Sequence, residues 1–231
     1  MCGIYLIVSL HKLIKINNVL ENLKKIQHRG QDAVGIVYKN NYLYTTIRQP
    51  GSIKSINDDI QSNIFMTHLR YKTSGNSALK GLQPITAKSN LGDFSFVFNG
   101  NIPLKKYSYI FKTEFVLDTE LIKFFLIKEA MHHNSWKDVL CSFMKTFERA
   151  YNLILITNGD GNNYGNIYVI KDRYGVRPLS YSLSESNDTL EICSETIGLS
   201  SSNSNENDTE NDTENDTEND TENDTENDTE N

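Results

Sequence analysis

The chain has 231 residues, of which 38% are hydrophobic, which is enough for one well-packed core or two small ones. Its net charge of −7 is unevenly distributed, because thirteen of the 30 acidic residues lie in 203–231 and leave 17 acidic against 23 basic residues in the rest. The remainder is therefore mildly basic, but its basic residues form no dense run with interleaved aromatics, and nucleic-acid binding is not predicted.

The cysteine pattern excludes several kinds of site. Cys2, Cys141 and Cys193 are widely spaced and include no Cys-x-x-Cys pair, so we expect no zinc site, no iron–sulfur cluster and no cofactor. A low, odd count is typical of a reducing compartment. No basic-then-apolar leader and no apolar run of about 18 residues occurs. We therefore expect no membrane insertion, and we expect the protein in the cytoplasm.

Hydrophobic periodicity predicts a strand-rich first half. We predict a helix that Asn17 or Asn18 caps and that ends at Gly30, and a hairpin turn at Asn40-Asn41. Residues 72–92, rich in Ser, Gly, Asn and Pro, are expected to form a long functional loop. Strands are predicted over 3–9, 33–38, 42–47, 63–69 and 94–98.

The second half mixes helices and strands. Asp118 is predicted to open one helix, and Ser135 is predicted to cap another that runs through Tyr151. Strands are predicted over 152–157, 166–171, 179–184 and 189–194. Because the strands come in hairpins and not in βαβ units, we expect antiparallel sheets with helices packed outside them.

The last segment differs in composition. Residues 207–230 repeat Asn-Asp-Thr-Glu six times without an apolar residue, so nothing there can offset chain entropy by burial. We therefore divide the chain into a folded domain, 1–199, and a disordered acidic tail, 200–231. The tail either keeps the protein in solution or docks on the basic body.

Cys2 is one cleavage from the amino terminus. Because the cysteine side chain is small, removal of Met1 is expected, and it would leave a free α-amine on Cys2. One residue would then carry a thiol nucleophile and an amine with a pKa of about 7.7–8.0 that can accept and return the proton. Gly3 would leave room for a substrate beside it.

Five further segments carry polar side chains at the ends of predicted elements, and each also has a purely structural explanation. Gly30 could be a helix C-cap, Asn99-Gly100 an ordinary turn, Asp118 an N-cap and Arg70 a surface charge. His28 and His68 are not required for chemistry. The segments are 28–32, 67–71, 99–101, 118–120 and 171–179.

With Cys2, these residues fit free L-glutamine, a zwitterion with a neutral amide at its far end. Arg70 could bind the α-carboxylate through two charge-assisted hydrogen bonds, and Asp118 could bind the α-ammonium. Cys2 would attack the amide carbon, while the Asn99 side-chain N–H and the Gly100 backbone N–H would stabilise the oxyanion. The products would be a glutamyl thioester, which water hydrolyses, and ammonia.

The same motifs, in this order, resemble the class II glutamine amidotransferases, which are N-terminal-nucleophile hydrolases. The resemblance is greatest to the glutaminase domain of amidophosphoribosyltransferases, because Gln31 follows Arg29-Gly30, and it covers about residues 1–199. The matching segments are 1–4, 28–32, 68–71 with Thr73 and Gly75, 99–101, 118–120, 172–179 and 194–196.

This resemblance implies an α+β fold, a four-layer αββα sandwich of two antiparallel sheets. It implies the same roles for Cys2, Arg70, Asn99, Gly100 and Asp118, with Arg29, Gly30 and Thr73 at the substrate site and a loop over 71–84 that closes on glutamine. The expected partners are L-glutamine, a separate synthase or phosphoribosyltransferase subunit, and further copies of the chain.

The sequence also departs from the family pattern. Phe98 replaces a His before Asn-Gly, and Lys72 replaces a small polar residue. No acidic pair with a Thr/Gly-rich loop for phosphoribosyl pyrophosphate is found, so ammonia would need an acceptor that this chain does not encode. We expect an active glutaminase module; the alternatives are a catalytically weak relative with a binding or regulatory role, and a fragment of a longer enzyme.

Overall fold

The structure is a computed structural model that describes residues 1–40, 43–53, 59–71, 81–158 and 165–200. The predicted tail apart from its first residue, Ser200, the loop segment 72–80 and the tip of the first hairpin lie outside the described residues. Within the described ranges the longest helix has 13 residues, and none is long and apolar enough to cross a bilayer.

Two antiparallel sheets form the centre of the fold. The larger has six strands in the order β11-β12-β1-β6-β3-β4, and the smaller has four in the order β10-β9-β8-β7; β2 and β5 pair separately. The strands are β1 Gly3–Ser9, β2 Ile14–Lys15, β3 Ala33–Asn40, β4 Leu43–Pro50, β5 Gln61–Ser62, β6 Ile64–Arg70, β7 Ile85–Ala87, β8 Phe94–Gly100, β9 Tyr151–Thr157, β10 Ile167–Lys171, β11 Ser180–Leu183 and β12 Thr189–Cys193.

Alternation along β1 explains how the layers stack. Ile4 and Leu6 face the second sheet and pack with Val97 and Ile154. Tyr5 and Ile7, which alternate with them, face the opposite way. Because both faces of β1 are buried, its sequence is apolar almost throughout. The gap between the two sheets is therefore one buried layer of the molecule.

Helices cover the outer face of each sheet. Helix α1 (Ile16–Lys25) packs on the six-stranded sheet through Val19 and Leu23. Helices α2 (Leu104–Phe111), α3 (Asp118–Ala130) and α4 (Trp136–Thr146) pack on the four-stranded sheet. The order of layers is helix, sheet, sheet, helix, which confirms the predicted αββα sandwich.

Helix boundaries differ from the prediction. Helix α1 begins after Lys15 without a side-chain cap, so neither Asn17 nor Asn18 is the cap, and a 3₁₀ turn over Gln27–Arg29 follows it. Helix α2 was not predicted. Ser135 caps α4 by accepting the Asp138 N–H at 3.2 Å, as predicted, but the helix ends at Thr146. Tyr151 belongs to β9.

The second sheet also differs from the prediction in two places. Strand β8 runs to Gly100, so Asn99-Gly100 is the end of a strand and not a turn. The loop predicted over 72–92 contains the short strand β7, which pairs Ile85 with Phe96. Three strands of two or three residues, β2, β5 and β7, were not predicted.

Candidate active site

One end of the sandwich collects most of the residues singled out by sequence. Strand β1 begins there at Gly3, directly opposite Leu69 near the end of β6, so the register brings Cys2 beside Arg70. Side chains two residues apart in a strand point to the same face. Cys2 is two residues from Ile4, and Arg70 is four from Met66, so both share the face of the first sheet that is turned to the second sheet. On the second sheet, Asn99 is two residues from Val97, which faces the first sheet. All three side chains therefore belong to the gap between the sheets.

The Cys2 carbonyl accepts hydrogen bonds from the 3₁₀ turn and from strand β8. It accepts the Arg29 Nε–H at 3.2 Å and the Asn99 Nδ2–H at 3.0 Å. The Cys2 Sγ–H lies 4.0 Å from the Tyr71 carbonyl, and the thiol is partly exposed. The backbone before β1 is thus fixed, while the sulfur stays accessible from the mouth of the gap.

Arg29 is the buried cation of the site. Its side chain is only 5% exposed, and its Nη1 lies 2.5 Å from Glu195, whose other oxygen contacts His28 Nε2 at 2.9 Å. Burial acts to raise the pKa of Glu195, but Arg29 and His28 hold it below its usual value. Nη2 of Arg29 is buried without a hydrogen-bond partner among the described residues, so this end of the guanidinium can still donate.

Asn99 is held at both ends of its amide. Its Oδ1 accepts the Arg177 Nη1–H at 3.0 Å, and the Arg177 Nε–H is donated to the Ala150 carbonyl at 3.0 Å. Arg177 reaches Asn99 from the loop after β10, where Lys171 Nζ donates to the Arg177 carbonyl at 2.6 Å.

The backbone N–H of Gly100 lies on the edge of β8 that faces away from β9. The N–H and carbonyl of Tyr151, its partner on β9, both bond to Asp172, so the polar groups of Gly100 point the other way. Phe98, two residues earlier, points its backbone polar groups to the same edge. There the Gln83 side chain takes the place of a partner strand: it accepts the Phe98 N–H and donates to the Phe98 carbonyl.

Asp118 is the first residue of α3. It is not the N-cap, which is Leu117, and its Oδ2 accepts the Ile102 N–H at 3.2 Å. Burial raises the pKa of Asp118, and the Ile102 N–H and the charge of Arg177 act against that rise. Because Arg177 contacts Asn99, this charge links Asp118 to the Cys2 end of the site.

Gly30 is the C-cap of the 3₁₀ turn over Gln27–Arg29, and its N–H donates to the Gln27 carbonyl. Its φ of −164° is extended, so the cap by itself does not require a glycine. A Cβ there would lie 2.5 Å from the Leu69 carbonyl carbon and 2.7 Å from that of Arg70. The absence of a side chain lets the segment after Arg29 lie against the end of β6.

Phe98 and His68 lie behind the site. The Phe98 ring belongs to the core between the four-stranded sheet and its helices, 5.9 Å from the Tyr151 ring, so it faces away from Cys2. His68 is buried, and burial with the charge of Arg70 lowers the pKa of His68 to about 3. Thr73, Gly75 and Lys72 lie outside the described residues.

Sequence reasoning missed three residues of this region. Arg177 and Glu195 lie in segments that were singled out, yet neither was given a role, and Gln83 was not considered. Nothing in the local sequence shows which polar group a loop arginine will contact.

The chain is similar in sequence to known proteins. The chain is 28% identical over 204 residues to the amidophosphoribosyltransferase of Methanocaldococcus jannaschii, covering 81% of this chain and 41% of that protein. It is 29% identical over 181 residues to the glutamine–fructose-6-phosphate aminotransferase of Listeria monocytogenes, covering 75% and 29%. Thus the chain resembles amidophosphoribosyltransferases over most of its length. No family model matches it.

The fold agrees as well. A solved glutamine phosphoribosylpyrophosphate amidotransferase from Bacillus subtilis superposes with a TM-score of 0.68 at 24% identity, covering 85% of this chain and 42% of that one. The predicted resemblance to amidophosphoribosyltransferases and the fold class are therefore confirmed. The chain spans about two-fifths of the length of the amidophosphoribosyltransferase from Methanocaldococcus jannaschii.

Proposed function

We propose that this chain is a glutaminase module that hydrolyses the side-chain amide of L-glutamine through a thioester on Cys2. The observation that carries the proposal is the meeting of Cys2 with Asn99 and Arg29 at the mouth of the gap between the sheets. A nucleophile, an amide donor and a buried cation in one place suit acyl transfer.

The chemistry requires a mature amino terminus at Cys2. Met1 is 61% exposed, so a processing enzyme can reach it. The freed α-amine takes the Sγ proton as sulfur bonds to the amide carbon, and the negative charge moves to the former carbonyl oxygen. The ammonium then protonates the leaving nitrogen, ammonia departs, and a glutamyl thioester remains. Water adds to the thioester, the C–S bond breaks, and glutamate and the thiol are released.

Several side chains have supporting roles in this proposal. Arg70, which the strand register brings beside Cys2, binds the substrate carboxylate, and Asp118 binds its ammonium. The Asn99 amide and the Gly100 N–H stabilise the oxyanion, a contribution of about 2.7–4 kcal/mol per donor in other acyl-transfer enzymes. Arg29 offers its remaining N–H donor, Gly30 lets the backbone approach, and Thr73 contributes from the closing loop.

Phe98 is compatible with an active site. Because its ring packs towards the helices and its backbone is bonded to Gln83, replacing a His at this position leaves the Asn99 and Gly100 donors in place. This favours the glutaminase over a catalytically weak relative.

Ammonia transfer to an acceptor needs protein outside these 231 residues, in a synthase or phosphoribosyltransferase unit on the same or another polypeptide. We also propose a homo-oligomer and a role in purine synthesis. The free thiols of Cys2, Cys141 and Cys193 suit a reducing compartment such as the cytoplasm.

The test is turnover of L-glutamine by purified protein with Met1 removed. Glutamate and ammonia should appear in equal amounts, and Asp118→Asn should raise KM for glutamine by roughly 10- to 100-fold, since a charge-assisted hydrogen bond is lost. Asp138→Asn, which also removes a carboxylate from the first turn of a helix, α4, is the control and should leave KM unchanged. Absence of turnover in the unsubstituted protein would refute the proposal.

A further inference from the structure

We propose that Arg177 is a positioning residue that fixes the orientation of the Asn99 amide and so keeps its Nδ2 donor turned towards Cys2. The inference rests on the proposed function, and it concerns a residue outside the set assigned by sequence. The geometry that supports it consists of two hydrogen bonds to one amide, at 3.0 Å each.

The two partners of Asn99 allow only one orientation of the amide. A guanidinium donates and cannot accept, so it must face Oδ1; the Cys2 carbonyl accepts and cannot donate, so it must face Nδ2. A flipped amide would set two donors against each other at Arg177 and two acceptors against each other at Cys2. One Nδ2 hydrogen is used on the Cys2 carbonyl, and the second can reach a substrate oxyanion.

Arg177 is itself held in place by the body of the protein. Its Nε donates to the Ala150 carbonyl at 3.0 Å, and its own carbonyl accepts from Lys171 Nζ. The next residue is anchored too, because Asn152 Nδ2 donates to the Pro178 carbonyl at 2.9 Å. Asn152 is the register partner of Asn99 on β9, so the loop is fixed to the strand beside the amide it orients.

A planar guanidinium is suited to this position. Two of its nitrogens bond in different directions, one to the Ala150 carbonyl and one to Asn99, whereas a lysine ammonium at the end of a flexible chain would bond one of them at a time. The experiment should therefore separate the loss of charge from the loss of geometry.

The main variant is Arg177→Met, measured at pH 8. We expect kcat for glutamine hydrolysis to fall roughly 30- to 100-fold, which is less than the effect of losing an oxyanion donor outright because the amide is still present, while KM changes less than about threefold. Arg177→Lys should have an intermediate kcat. Arg173→Met removes an exposed cation from the same loop and should stay within about twofold of the unsubstituted protein.

Titration with a glutamine-like electrophile counts the active sites, so kcat per labelled site excludes a simple loss of folded protein. In a double-mutant cycle, Arg177→Met should add almost nothing once Asn99→Ala is present, since there is then no amide to orient. Full additivity, or a kcat per site unchanged in Arg177→Met, would overturn the inference. If Arg177→Met fails to fold, the Lys variant decides through the same cycle.

A readout independent of turnover separates this inference from the proposed function. In protein labelled with ¹⁵N-asparagine, the side-chain amide signals of Asn99 are assigned by their loss in Asn99→Ala. They should shift in Arg177→Met and stay in place in Arg173→Met. Absence of turnover together with these shifts would refute the proposed glutaminase activity and support the positioning role. Turnover without the shifts would support the glutaminase activity and refute the positioning role.

Discussion

Acidification should destabilise this protein through one buried histidine. His68 lies near the end of β6, two residues before Arg70, and is fully buried. Its pKa falls from 6.5 to about 3 on folding. Below pH 6.5 the unfolded chain therefore binds a proton that the native protein excludes. Stability is complete above that pH and is lost as the pH falls towards the native value.

The size of this effect follows from the two pKa values. At pH 5 the linkage relation gives a loss of about 2 kcal/mol relative to pH 8, and a native pKa of about 4 would give nearly the same loss. The predicted loss depends on the pKa of the unfolded histidine, because with either native pKa the buried ring is neutral at pH 5.

Urea denaturation followed by the fluorescence of Trp136, the single tryptophan, measures this loss. The control is His68→Leu, which keeps the other four histidines of the chain. The unsubstituted protein should lose about 2 kcal/mol more than the variant between pH 8 and pH 5. Equal losses would show that His68 accepts a proton in the folded state, and the account of its burial would be wrong.

Three other predictions concern the site. Gly30→Ala should destabilise the protein by about 1–3 kcal/mol in urea, because its methyl group overlaps the backbone of the neighbouring strand; an unchanged midpoint would contradict this. Glu195→Ala should cost about 3 kcal/mol by leaving Arg29 buried without its partner, whereas Lys12→Ala, from an exposed pair, should cost under about 0.5 kcal/mol. Burial raises the pKa of Asp118, so the carboxylate that binds substrate should become protonated at a higher pH than an ordinary Asp. On acidification, kcat/KM for glutamine should therefore fall before the pH reaches the usual Asp range. A kcat/KM that stays constant down to pH 4 would contradict the role of Asp118.

The residue pattern predicted antiparallel sheets with helices outside them, and the family resemblance supplied the four-layer order of the sandwich. Strands β1, β6, β8 and β9 carry continuous or alternating apolar residues, and their hairpin order indicated antiparallel pairing. Helix α2 left a weaker pattern, since Tyr107 is its one buried residue and lysines precede it. Strands of two or three residues are too short to show any period.

Element ends were harder to predict, for identifiable reasons. Helix α1 has no side-chain cap, so the rule that favours Asn placed its start too late. Phe147 and Tyr151 continued the apolar pattern of α4, although Tyr151 is already in the next strand. A pattern of burial does not distinguish a helix that continues from a strand that follows.

The site was predicted from residue chemistry and from the order of its motifs, whereas its connections were not. The register that brings Cys2 beside Arg70 depends on the pairing of strands far apart in sequence, such as Gly3 with Leu69, and the contact of Arg177 with Asn99 depends on a loop. The close approach that requires Gly30 appears only once β6 is in place.

Mass spectrometry of the amino-terminal peptide tests the central claim most directly. Purified protein that turns over glutamine is quenched in acid during the reaction and digested. The account predicts a peptide that begins at Cys2 and carries a glutamyl group on its sulfur, and none in Cys2→Ser. Full turnover by protein that retains Met1, or a glutamyl group on another residue, would contradict it.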